Sequence, residues 1–485
     1  MGAKTYSRPA RLGALVGGLT EKDVVSLFSR KRILVRLEAG SSATSDARET
    51  FVFIVNQVLR FCPNVSICVG GASELIHTCR NLAARVHGSQ RAIDVLADGL
   101  AIKFDATVNV GKEVLDDDTC ATVNSTGWVA RLATGQFGGR LIERDGSKYN
   151  PVGALAAGCL GAGAAFFAVL GRPLAVSREI SLFTHESGAV GALAVGPDLP
   201  DFPIRLNGFL VGCGAVANGW AYAIQQLPIV GTLQAIDRQS LRLENIGPYV
   251  AVGRESVGER KAELIKRLLS PNIRVAARAD QWEFFKIRLK NELSVPPLII
   301  AGLDNVPTRH SVQRLWPETL VDMAAGGLES QVIVKNRDND GQCILNALRA
   351  SATDTDWAKD LARAAGLKYE LIATNLTGEI TQEEIDEAPL EKKSDLQLAL
   401  GKPRCGYINQ LTLDLENDDP DFTPAVPFVT AFTGIVGAAE TLKYLSGKRY
   451  EHSLHYQRSF RSGFSRCLEM RCDRDCECQS VANAA

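Results

Sequence analysis

The stretch Asn207-Gly-Phe-Leu-Val211, running straight into Gly212-Cys-Gly214-Ala-Val-Ala217-Asn218, constrains the fold more than any other part of the chain. A short apolar run that ends at glycines reads as a buried strand, and the residues from 215 to 226 read as the helix it feeds. Glycines at such a strand-to-helix turn let backbone approach a phosphate, and the helix start supplies free N–H groups and the positive end of the dipole. Asp237 closes the next strand, Ile229–Ile236, where a carboxylate accepts hydrogen bonds from ribose hydroxyls. On these residues alone the loop is an ordinary dinucleotide fingerprint, with a glycine turn that binds nothing as the plain alternative.

The rhythm continues downstream. Residues 258–269 have helical spacing with Leu264, Ile265, Leu268 and Leu269 on one face. Strand-like segments follow at 273–277, 297–303, 319–324 and 330–335. Strands alternating with helices predict an α/β fold with a mostly parallel, doubly wound sheet. Residues 345–424 break the pattern, with an amphipathic segment at 357–365 and a capping box from Thr381 to Glu384. They read as an insertion, after which 428–445 returns to an apolar helix. That helix echoes 154–170; both are rich in small residues and end at glycine (Gly171, Gly447). The short apolar runs 67–73 and 100–111 in the first half fit a degenerate copy of the second, with chance likeness of two Ala/Gly helices as the alternative.

Length and composition agree. The 485 residues suit two or three domains, and 46% hydrophobic content excludes global disorder. With 54 basic against 55 acidic residues there is no basic field, so no nucleic-acid partner is expected. The uncharged stretch 149–171 contains Pro151 and many small residues, and is expected to be a buried interface helix rather than a membrane span. Of 12 cysteines, eight are scattered (62, 68, 79, 120, 159, 213, 343, 405) and four crowd the end: Cys467, Cys472, Cys476 and Cys478. Scattered thiols suit a reducing, cytoplasmic setting.

Three further positions change the expected ligand. Asn245 follows the second strand, Lys261 lies near the start of the next helix, and Asp304 ends the strand Leu-Ile-Ile-Ala-Gly-Leu, with Arg309 five residues on. A dehydrogenase needs neither the lysine nor the second carboxylate. An enzyme handling a triphosphate does: lysine neutralises phosphate charge, and a carboxylate holds Mg²⁺ against the phosphates.

With Gly212-x-Gly214-x-x-Ala217-Asn218, Asp237, Asn245, Lys261 and Asp304-Asn305…Arg309 in this order, the sequence resembles the adenylating enzymes that include ubiquitin-activating E1 proteins and the ThiF, MoeB and HesA sulfur-carrier activators. The likeness is strong over 205–345 and 425–447, weak in the first 200 residues and absent in the tail. It implies two pseudo-symmetric Rossmann-like adenylation halves: an inactive one (1–200) and an active one (201–344) that continues, after a cysteine-bearing insertion (345–424), at 425–450. A Cys-rich tail (451–485) would follow. By resemblance, the glycine loop (Gly212, Gly214, Ala217) holds ATP, Asp237 the ribose and Asp304 the Mg²⁺. Lys261 contacts phosphates, with Asn245 and Arg309 lining the site. Gln239 stands where the family often has a second Asp, and Ile-Gly-Pro248 where it often has Asn-x-x-Arg. Arg8 or Arg11 is the expected arginine from the other half.

The implied chemistry is attack of a ubiquitin-like protein's C-terminal carboxylate on the α-phosphate, then transfer to a cysteine and on to an E2-like conjugating protein. Cys405, flanked by Lys402 and Arg404, is the expected nucleophile because cationic neighbours favour thiolate. Cys343 is second; it falls where relatives begin a zinc-binding Cys-x-x-Cys, but Asn346 replaces the second cysteine, so that site is expected to be lost. Cys467, Cys472, Cys476 and Cys478 form either a Zn²⁺ site of their own or a loose thiol-rich end. The combination resembles the E1 components of bacterial ubiquitin-like conjugation (Bil-type antiphage) operons. A ThiF/MoeB-type sulfur-carrier adenylyltransferase and a non-catalytic nucleotide-loop module remain alternatives, with an NAD-dependent oxidoreductase behind both.

Overall fold

The computed structural model describes residues 6–88, 93–97, 103–117, 119–135, 140–142, 149–292, 294–348, 362–363, 365–374, 378–402, 404, 407, 425–472 and 476. Among these, the strands form two sheets of eight. The first contains β1 (Ile33–Leu37), β2 (Val65–Cys68), β3 (Asp94–Val95), β4 (Ala106–Val110), β5 (Cys120–Thr126), β6 (Val129–Thr134), β7 (Ser177–Ser181) and β8 (Ser187–Gly188). The second contains β9 (Ile204–Val211), β10 (Ile229–Ile236), β11 (Ile273–Arg278), β12 (Leu298–Ala301), β13 (Thr319–Gly326), β14 (Glu329–Asn336), β15 (Ser453–Ser459) and β16 (Ser465–Met470).

The orders are β3-β2-β1-β4-β5-β6-β7-β8 and β11-β10-β9-β12-β13-β14-β15-β16, the same pattern twice. In each sheet the first five strands of that order are parallel and the last three pair antiparallel. The two small-residue helices match as well: Pro151–Val169 joins β6 to β7, and Pro427–Leu445 joins β14 to β15. The echo in the sequence is therefore a repeated topology. The expected tail is in part sheet: residues 453–459 and 465–470 are β15 and β16, so strands of the second half extend well past residue 450.

The helix Pro151–Val169 is long and apolar enough to cross a membrane, and it is almost entirely buried inside the fold. One hydrophobic core runs through both halves. Phe166 meets Phe428 with ring centroids 5.3 Å apart, and Phe53 stacks on Tyr222 at 5.0 Å. Full burial of each of the Phe53, Phe166 and Phe428 rings contributes about 1.5–3 kcal/mol, which makes this seam apolar and strong. A small satellite core (Ala365, Leu367, Ile380, Ile385, Leu396) lies within the expected insertion, where Thr381 and Glu384 form the predicted capping box. Most of the amphipathic segment 357–365 lies outside the described residues.

Candidate functional site

Register fixes the site's frame. Val211 pairs with Ile236 on one side and Ala301 on the other, and Ala301 pairs with Asp322. The loop after β9, Asp237 after β10 and Asp304 after β12 therefore emerge side by side at the carboxyl edge of the parallel strands. The strand order reverses there, between β9 and β12, which is where open α/β sheets bind ligands. Gly212 has φ +80°, and a Cβ on it would lie 2.7 Å from the Gly302 carbonyl oxygen, so the turn requires glycine. Gly214 differs. A Cβ there would meet nothing nearer than 3.8 Å, so the protein's own packing does not demand the glycine and the space beside it is open to a ligand. Gly214 caps the helix Ala215–Ile224 without a side-chain bond, leaving the first-turn N–H groups uncapped by it.

Asp237 is tied to the loop. Its Oδ2 accepts from the Cys213 amide at 2.8 Å and its Oδ1 from the Gln239 amide at 2.8 Å. Cys213 is fully buried, and burial pushes its thiol well up, reinforced by Asp237, so it is a packing residue. Lys261 is the first residue of the helix Lys261–Leu269 and is buried, its ammonium donating to Gln239 Oε1 and lying 5.9 Å from the Tyr249 ring centroid. Burial alone would lower its pKa, but Tyr249 and Asp237 outweigh that and the net shift is upward, with Arg8 acting in the opposite sense. Gln239, the departure from the usual Asp, thus holds the lysine through a neutral amide and leaves its charge uncancelled by that residue. Of the two expected arginines, Arg8 of the helix Ser7–Gly17 acts on Lys261, while Arg11 pairs with Glu21 within the first half.

Asp304 is exposed and makes no ion pair among the described residues; Asn305, rather than Asp304, caps the next helix by accepting from the Thr308 amide at 2.8 Å. These features suit a carboxylate left for a cation. Arg309 reaches the same sheet edge, but its guanidinium is buried in a bidentate pair with Asp322 and also reaches Gln331 at 3.3 Å, so its charge is already compensated. Asn245 is buried and its Oδ1 accepts the Arg242 amide at 2.8 Å, capping a short 3₁₀ turn; this bond positions the 246–252 segment.

Two contributors escape the sequence reading. Tyr249 lies between the loop and Lys261, its hydroxyl 3.9 Å from where a Gly214 Cβ would be. Arg60, from the first half, is buried and donates to the carbonyls of Ile246 (2.6 Å), Val250 (2.7 Å) and Val252 (3.0 Å). Nothing local in the sequence marks either; the signal is contact between segments far apart in the chain.

At the matching edge of the first sheet the loop is different. β1 is followed by Glu38, whose carboxylate accepts the amides of Lys112 (2.9 Å) and Glu113 (2.8 Å) and the Asn109 amide group (2.6 Å). A Cβ on Gly111, just past β4, would collide with it. β2 is followed by Val69-Gly70-Gly71, with no carboxylate where the second half has Asp237. A side chain thus fills the first half's edge.

The cysteines regroup. Cys343 is fully buried, its Sγ 3.3 Å from that of Cys476, and the thiols of Cys343, Cys472 and Cys476 lie within 4.8 Å of one another. Thiolates sharing a tetrahedral zinc at about 2.3 Å sit about 3.8 Å apart, so three such thiols fit that ion. Cys343 lacks the local partner at Asn346, but Cys472 and Cys476, which follow the last strand, stand beside it instead, a grouping compatible with zinc. Cys467 is elsewhere, on β16, and burial pushes its thiol up to about 12. Cys478 and Cys405 lie outside the described residues. Arg404 is buried in a pair with Glu384 at 2.7 Å.

A glycine-loop helix start, two carboxylates and a buried lysine thus meet at the switch point of an α/β sheet. Residues 205–480 match the ThiF family, more than half of the chain, and the chain belongs to that family. Comparison with curated proteins returns no match. Among solved structures, Escherichia coli MccB is similar at 13% identity over 56% of this chain and 64% of its own, with a TM-score of 0.36. MccB with ATP gives 13%, 56%, 66% and 0.36. PaaA gives 14%, 55%, 64% and 0.34. The chain therefore spans about two thirds or less of these relatives' length.

Proposed function

We propose that this protein adenylates the C-terminal carboxylate of a ubiquitin-like protein with Mg-ATP, accepts the acyl group on a cysteine and passes it to an E2-like protein. The observation that carries the reading is the gathering of the Gly212–Gly214 loop, Asp237, Lys261 and Asp304 at one switch point in a ThiF-family chain. The loop amides and helix start cradle phosphates, Asp237 takes the ribose, and Lys261 and Arg8 offset phosphate charge. Asp304 would hold Mg²⁺, which supplies further charge neutralisation when bound. A substrate carboxylate oxygen attacks the α-phosphorus as the bond to the bridging oxygen breaks, giving acyl adenylate and pyrophosphate. A thiolate then attacks the acyl carbon and AMP leaves. Positioning and charge do most of this work.

Cys405 is the proposed acceptor, since Cys343 is committed to the thiol cluster, which would hold structural zinc. The first half serves as a non-catalytic partner that delivers Arg8 and braces 246–252 through Arg60, so the two halves act as a fused pseudo-dimer. Placement in a bacterial Bil-type system is the narrower form of the proposal. ATP–pyrophosphate exchange with the candidate ubiquitin-like protein, followed by a non-reducing gel, tests it. Lys261→Ala and Asp304→Ala should abolish exchange, and Cys405→Ala should keep exchange but lose a reducible thioester. Exchange that survives both phosphate-site changes overturns the site. Exchange without any thioester in the wild type favours a sulfur-carrier adenylyltransferase.

A further inference from the structure

A cavity of about 350 Å³ lies between the halves, away from the nucleotide site, lined by Leu132, Leu160 and Arg178 of the first half and Arg458, Phe460 and Arg461 of the second. No carboxylate lines it among the described residues. Arg458 is the unusual member. It is 6% exposed, stands over the rings of Phe432 and Phe460 at 5.6 and 5.3 Å, and donates from Nη1 to Ser465 at 2.6 Å, yet its buried Nε makes no hydrogen bond among the described residues. Glu179, next to Arg178 on β7, does not compensate it, because Glu179 is paired with Arg131 at 2.9 Å on the opposite face of the strand. A buried guanidinium with no carboxylate beside it among the described residues is costly; burial lowers its pKa, Tyr456 opposes that, and Arg178 adds to the lowering. Guanidiniums are fork donors matched to carboxylate and phosphate, and the leucines and Phe460 suit an apolar body attached to such a group.

We propose that this cavity is a binding site for a small amphiphilic anion, a carboxylate or phosphate carried on a short apolar chain. β15 is four strand intervals from β9, about 19 Å, so such a ligand and a nucleotide at the Gly212 loop do not compete. Bound there, the anion joins β7 of one half to β15 of the other.

Calorimetric titration of the full chain with hexanoate, hexyl phosphate and neutral hexanol tests this. At least one anion should bind, one per chain, more weakly as salt rises. Affinity should fall roughly tenfold or more in the Arg178→Ala/Arg461→Ala double variant, whose substituted residues are exposed, and be unchanged in Lys261→Ala. Arg458→Lys, which keeps the charge but loses the fork, should also weaken binding. The headgroup that binds more tightly identifies the ligand's chemistry. Failure of both anions to bind, equal binding of hexanol, or full affinity in the double variant would overturn the site.

Discussion

Glu440→Gln is the sharpest test of how the halves are held together. Glu440 lies on the helix Pro427–Leu445 and is 1% exposed. Its Oε1 meets His185 Nε2 of the first half at 2.6 Å and also the Lys443 ammonium, while its Oε2 accepts from Tyr450 at 2.6 Å. Lys443 is 3% exposed and 3.1 Å from the same His185 nitrogen. Removing the only carboxylate of this group leaves a buried ammonium without a counter-ion, which costs about 3–5 kcal/mol. Burial would raise the Glu440 pKa, but Lys443 and His185 drive it well below the usual carboxylate range. A depressed acid contributes stability above its unfolded pKa and loses it as pH falls through the folded value. The variant should therefore be weakest relative to wild type near pH 7, with the gap closing as pH drops below about 4.5. Urea unfolding midpoints across pH measure this, and Glu440→Gln/Lys443→Met should recover part of the loss. A single variant within about 1 kcal/mol of wild type at pH 7 would refute the argument that this carboxylate compensates the lysine.

Arg60→Ala strands three carbonyls of the 246–252 segment, and should destabilise by about 2–4 kcal/mol and raise the ATP Kd severalfold through Tyr249; unchanged nucleotide affinity would argue that the first half does not brace the site. Burial raises Asp46 to about 6, against a lowering bond from the Asn150 amide. The fold thus binds that proton more tightly, so this group's contribution declines as pH rises from about 4 to 6. Asp46→Asn should flatten that slope and add about 1–2 kcal/mol at pH 7, read by thermal unfolding. Cys343→Ser should drop bound zinc from about one per chain to a small fraction in a chelator-release assay, with thermal stability falling in step.

The second half was legible because its strands are buried on both faces and read as apolar runs stopped by glycine or a carboxylate: β10 and β14 match their predicted spans to within a residue. The first half was not. β3 and β8 are two residues long, and Glu38 in place of a glycine loop removes the one local signature of the fold. At the site, residues whose role lies in the loop itself (Gly212, Gly214, Asp237) were visible in order and spacing. Arg309 and Asn245 were visible as residue types, but not in their work: Asn245 caps a local turn through the Arg242 amide, and Arg309 is paired with Asp322, 13 residues away on β13. The thiol cluster was hidden for the same reason: Cys343 and Cys476 are separated by 133 positions and meet only once β15 and β16 have added to the sheet.

Glu38 carries a thermodynamic asymmetry. Its carboxylate occupies the first half's edge as a tethered anion, present at a fixed and very high effective concentration whatever the solution contains. On the proposed function, the second half's edge draws its anion from solution, so its stability rises with ligand as RT ln(1 + [L]/Kd) while the first half's does not. Ligand supply would then tune the two halves unequally: the edge of one is permanently filled, and the other firms up when the proposed nucleotide is at hand.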